Sequence, residues 1–137
     1  VLSVDPQRPV VYYQRGMLQL LQGNNQLALQ EFEQEKFVFL KFTGLAIAHH
    51  RAGQQDQSRA ALQDLISAAG ESASYQIAEV YAQWGDADNA ISWLERGYSI
   101  RDPGLQYLVN DRLFEPIEED PRFQALMRKM NFLALES

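Results

Sequence analysis

Cysteine is missing from all 137 residues, which removes disulfide cross-links and thiolate metal sites and fits a reducing compartment, so the cytoplasm is the expected location. Proline is scarce as well. It stands only at positions 6, 9, 103, 116 and 121, so the long stretch from Pro9 to Pro103 must be punctuated by other residues. There is no excess of positive charge. The 12 basic residues face 18 acidic ones, net −6, which argues against a broad electrostatic footprint for nucleic acid or an anionic lipid surface. No apolar run approaches the roughly 18 residues of a membrane span, and the start VLSVDPQRP lacks the basic and apolar regions of a signal peptide. Catalytic patterns are equally scarce: the glycines are dispersed rather than gathered into a phosphate loop, and no serine lies in a nucleophile motif. The expectation is a protein that is no enzyme and takes no cofactor or metal.

What the chain does have is helical periodicity. Apolar residues recur as in Val11, Leu18, Leu21 or Ile77, Val80, Tyr81, Trp84, and sustained alternation of the strand type is missing, so the expected fold class is all-α. Gly23, Gly53 and Gly85 each end an amphipathic run and precede polar residues, in QGNNQ, AGQQDQ and WGDADN. Their separations of 30 and 32 residues indicate a repeat containing two helices. Small residues, Gly16, Ala28, Ala46, Ser58, Ala78 and Ala90, recur where two antiparallel helices would cross. A hairpin of this kind leaves one face apolar and is stable only when stacked on a neighbour.

The stretch SYQIAEVYAQWGDADNAISWLERGYSIRDP supplies Ile77-Ala78, Tyr81, Gly85, Ala90, Leu94 and Pro103, and thereby resembles the tetratricopeptide repeat. The first unit carries Tyr12, Gly16, Gly23, Ala28 and Phe32, with Arg15 and Gln19 in place of the expected Leu and Tyr. The middle unit carries Phe42, Leu45-Ala46, His49, Gly53, Ser58 and Leu62. The resemblance implies a right-handed superhelical solenoid of about three helix-turn-helix pairs, at residues 9–38, 39–70 and 71–103, closed by a short helix and a capping helix within 104–137. Running the first register backwards makes residues 1–8 the tail of a possible preceding repeat. A start at Val1 rather than Met fits a piece of a longer protein. The runs GLAIAHHRAGQ, RDPGLQYL and EEDPRFQALMRKMNF further resemble the C-terminal repeat region of bacterial signalling proteins with adenylate cyclase, serine/threonine kinase or winged-helix output domains. At VNDRLFEP the chain departs from that pattern.

Asp102-Pro103 and Asp120-Pro121 each read as an N-cap followed by proline in the first turn, predicting helices near 103–109 and 121–131. In the second, Phe123, Leu126, Met127 and Met130 would cover the apolar end of the third pair. Arg122, Arg128 and Lys129 would face water, with Arg128 and Lys129 at the negative end of the helix dipole.

The resemblance implies a protein or peptide partner bound on a concave face built from the first helix of each pair. Its candidates are Tyr13, Gln14 and Met17, beside Leu20 and Leu21; Thr43, Ile47, His50 and Arg51; and Tyr75, Gln76, Glu79 and Gln83. Neither nucleic acid nor a membrane is an expected partner. The competing reading is a structural spacer or homodimerisation segment. The apolar run Phe37, Val38, Phe39, Leu40 and Phe42 bears on it, because burial by stacking is expected there and exposure would offer a self-association patch. His49 and His50 point about 100° apart on a helix, poor geometry for one metal, so a packed, hydrogen-bonded ring is expected at His49. The acidic residues Glu115, Glu118, Glu119 and Asp120 lack the spacing of a calcium loop and read as a solvated turn.

Overall fold

A computed structural model describes the backbone of residues 11–136 and the side chains of residues 11–130. The expected tail at residues 1–8 and the start of the first pair at residues 9 and 10 lie outside the described residues. The described chain is all-helical: α1 (Val11–Leu21), α2 (Asn25–Gln34), α3 (Val38–Arg51), α4 (Gln55–Ala69), α5 (Ser74–Gln83), α6 (Ala87–Ser99) and α7 (Pro121–Glu136). Short 3-10 helices occupy Gly70–Ala73, Pro103–Asn110 and Arg112–Ile117.

The three turn glycines end α1, α3 and α5 in one way. Gly23, Gly53 and Gly85 have φ of 82°, 78° and 79°. Each donates its N–H three residues back, while the next residue donates five residues back, as in Gly23 N→Leu20 O at 3.0 Å and Asn24 N→Gln19 O at 2.8 Å. This double closure satisfies the orphan carbonyls of the last helical turn and requires the left-handed backbone that glycine adopts freely. Side chains reinforce two of these turns: Asn24 Nδ2 donates to Gln19 Oε1 at 3.0 Å, and His49 Nδ1 meets Gln54 Oε1 at 2.8 Å. His49 is therefore a half-buried ring tying the turn between α3 and α4.

The chain divides into two compact units, Val1–Ala73 and Ser74–Ser137. In the first, α1 packs on α2, α2 on α3 and α3 on α4. Phe32, fully buried, is wedged between α1 and α3: a Cβ placed on Gly16 would lie 2.4 Å from its ring, and one on Gly44 2.3 Å. At the next crossing the buried Ser58 hydroxyl donates to Ala46 O at 2.6 Å. The apolar run is not buried as expected: Phe37 and Val38 are 48% and 43% exposed, and Phe39, Leu40 and Phe42 are half-buried. α3 starts at Val38, so Phe37 caps its N-terminus while its ring leans on Phe39 at 5.4 Å.

In the second unit Tyr75, Ala78 and Ala82 of α5 join Ala90, Ile91 and Leu94 of α6 in one core. Leu105, Leu108, Phe114 and Ile117 of the two 3-10 helices complete it with Phe123 and Leu126 of α7. Asp102 and Asp120 cap as their sequence predicts, accepting from Gly104 N at 2.9 Å and Arg122 N at 2.8 Å. α7 runs to Glu136, so Arg128 and Lys129 lie inside the helix rather than in its last turn. Their pairing with the helix dipole is thereby corrected.

Candidate functional site

The candidate residues on first helices separate into two sets. In the first unit, Gln14 and Arg51 are exposed and Tyr13, Met17 and His50 are half-buried, whereas Thr43 and Ile47 have no accessible surface. Thr43 turns its hydroxyl to Phe39 O at 2.5 Å within α3. Neither Thr43 nor Ile47 can touch a partner in this arrangement, because helix packing covers them.

Local bonds fix the accessible set. Glu35, just past α2 and 3% exposed, accepts the Tyr13 N–H in the first turn of α1 at 2.9 Å and the Phe37 N–H at 2.9 Å. A carboxylate is favoured there, since the N-terminal N–H groups of a helix lack intrahelical acceptors. The Tyr13 ring rests on Phe32, with centroids 5.7 Å apart. At the other end Arg51 Nη1 donates to Leu20 O at 3.3 Å, bridging the C-terminal turns of α3 and α1. His50 Nδ1 meets Gln55 Oε1 at 2.6 Å. Leu21, beside this set, is 55% exposed.

In the second unit the equivalent face of α5 is covered by the chain's own residues 103–117. Tyr75 is 3% exposed, its ring 5.5 Å from Phe114, and its hydroxyl donates to Asp111 Oδ2 at 2.5 Å. Its N–H donates to Asp102 Oδ2 at 3.1 Å. Gln83 Nε2 donates to Leu113 O at 2.8 Å. Glu79, between them on the same face, is 6% exposed, and burial, reinforced by hydrogen bonding and repulsion from Asp111, raises its carboxyl well above the ordinary range. Tyr75, Glu79 and Gln83 thus hold an internal segment, and Gln76, half-buried, is the remaining candidate on α5. Asp111, the acceptor at the centre, escaped the sequence reading because it lies in the stretch that departs from the resembled pattern. Glu35 escaped because one glutamate in EQEK looks like any solvated charge.

Helical hairpins closed at regularly spaced glycines define the class, an α-helical repeat protein. Residues 71–102, which span the end of the Gly70–Ala73 turn, α5 and α6, match the family model described as tetratricopeptide repeat. That match supports a tetratricopeptide repeat at those residues. Repeats of this family generally mediate protein–protein interaction, and proteins built from them are typically non-catalytic scaffolds. No curated protein and no solved structure matches the chain significantly. No described helix is long and apolar enough to cross a membrane.

Proposed function

We propose that the chain is a protein-interaction module whose partner, a peptide or a protein domain, lies along α1 and α3 and contacts Tyr13, Gln14, Met17, His50 and Arg51. On this reading three helix pairs, 9–38, 39–70 and 71–103, precede a cap at 104–137, and the module serves a larger bacterial signalling protein in the cytoplasm. The observation that carries the choice of face is the contrast between the units: the α1 and α3 set is accessible and fixed by Glu35 and Arg51, whereas the α5 set is taken up by residues 103–117. Tyr, Met and Arg are also the residue types that anchor interfaces. The family's role in binding proteins supplies the rest.

The test is affinity capture with the purified chain, followed by titration of the captured partner. A Tyr13→Ala, Arg51→Ala double variant should bind at least about tenfold more weakly, the loss of one good anchor, with helical content unchanged. Undiminished binding would remove this face from the proposal. The half-exposed Phe37 and Val38 favour a second reading, a homodimerisation segment, whose signature is a mass in solution that rises with concentration and returns to monomer in Phe37→Ser.

A further inference from the structure

α6 ends in the same double closure as α1, α3 and α5: Arg101 N donates to Tyr98 O at 3.2 Å and Asp102 N to Gly97 O at 2.8 Å. The residue at the left-handed position is not glycine here. Arg101, with φ of 58°, is the one non-glycine residue with positive φ among those described. An L side chain at that position is disfavoured relative to glycine. The Arg101 side chain is exposed, and its guanidinium has no hydrogen bond or ion pair among the described residues.

Arg101 borders an open groove of about 690 Å³ between the end of α6 and α7, lined also by Tyr98, Ser99, Leu105, Lys129 and Met130. Lys129 Nζ lies 4.5 Å from the centre of the Tyr98 ring and has no carboxylate partner among the described residues. The acid on the border, Asp102, is 9% exposed, and its two oxygens already accept the Tyr75 and Gly104 N–H groups. The groove continues into an adjoining cavity of about 470 Å³ that shares Tyr98, Ser99 and Lys129. In that cavity Arg122 is paired with Asp88 at 2.8 Å and Asp120 at 2.9 Å, and Glu95 lines it together with Arg122 and Lys129. Arg101 and Lys129, neither with a carboxylate in ion-pair distance among the described residues, thus border the groove next to the apolar walls of Leu105 and Met130, in a chain of net charge −6.

We infer that the groove between α6 and α7 binds a peptide segment presenting a carboxylate beside a bulky apolar side chain. Arg101 and Lys129 take the carboxylate, and Leu105, Met130 and the Tyr98 ring take the apolar group. Two free cations on an acidic chain are too few for a nucleic acid backbone, whose affinity comes from neutralising many phosphates. This surface lies in the second unit and is independent of the α1 and α3 face.

The test uses the whole chain and a short fluorescein-labelled peptide of alternating glutamate and leucine, with a glutamine and leucine peptide as control. The glutamate peptide should bind at least about tenfold more tightly than the control, less so at high salt, and shift the amide resonances of Ser99, Arg101 and Lys129. Arg101→Gly is the decisive variant. It relieves the left-handed backbone, so its melting temperature should stay level or rise while glutamate-peptide binding falls about tenfold. Lys129→Gln should weaken binding likewise without unfolding the chain. Equal binding of both peptides, binding by Arg101→Gly as tight as by the parent, or resonance shifts confined to α1 and α3 would each overturn the assignment.

Discussion

Gly16 and Gly44 show how single residues set the spacing of the first unit. Phe32 can enter between α1 and α3 only because neither helix carries a side chain where its ring passes, and its aromatic edge then replaces the methyl contacts that alanines would make. Adding a Cβ at either site puts it well inside van der Waals distance of a fully buried ring. Overpacking of this kind typically costs about 1–3 kcal/mol, more than the helix propensity alanine gains over glycine. Gly16→Ala and Gly44→Ala should each lower the urea midpoint. The pair Gly44→Ala with Phe32→Leu should recover part of the loss, which a pure backbone effect at Gly44 would not allow. Gly16 was legible from the sequence as a crossing residue. Gly44 was not, because a glycine inside a helix signals close approach without naming the partner.

At the level of elements, carboxylates rather than long apolar seams pin the ends of helices together. Glu35 ties the end of α2 to the starts of α1 and α3, and Asp102 ties the end of α6 to the start of α5 and to the 3-10 helix that follows. Asp111 does the same for the second 3-10 helix, accepting the Leu113 N–H at 2.9 Å with one oxygen and the Tyr75 hydroxyl with the other. Removing Asp111 strands a buried hydroxyl and a helix-start N–H together, at a cost of about 1–3 kcal/mol. Asp111→Ala should therefore accelerate amide hydrogen exchange across residues 103–117 and leave α1 to α4 protected as before. Exchange unchanged in that segment would mean that its apolar contacts alone hold it. The positions of helices and turns were legible because capping and periodicity are local signals. The seating of residues 103–117 on α5 was not, since Tyr75 and Gln83 meet partners far along the chain and nothing near them in sequence says so. Arg101 was hidden for the opposite reason: its turn repeats a glycine pattern with the glycine replaced.

Across the molecule, two carboxyl groups among the described residues have shifted affinities for protons, and they shape how stability follows pH in opposite directions. Asp120 is held down to about 2 by hydrogen bonds from Arg122, so its contribution is present above its ordinary 3.8 and is lost as pH falls through that lower value. The pair is exposed, and its effect is correspondingly small. Glu79 works the other way. Its buried carboxyl faces Asp111 and Asp102, and no cation is among the causes of its shift. The folded chain keeps a proton there that the unfolded chain gives up near 4.5, so this contribution is whole below that value and is lost as pH rises through the raised one. Stability should therefore peak on the acid side of neutrality and decline above it, with the loss concentrated in the second unit, where an ionised Glu79 would stand against Asp111. Urea unfolding from roughly pH 4 to pH 9 measures the slope directly. Glu79→Gln keeps the shape and a hydrogen-bond donor for Asp111 while removing the titration, so its profile should flatten and lie above the parent's at the alkaline end. Parallel profiles for the two proteins would show that Glu79 ionises in the folded chain as freely as in the unfolded one.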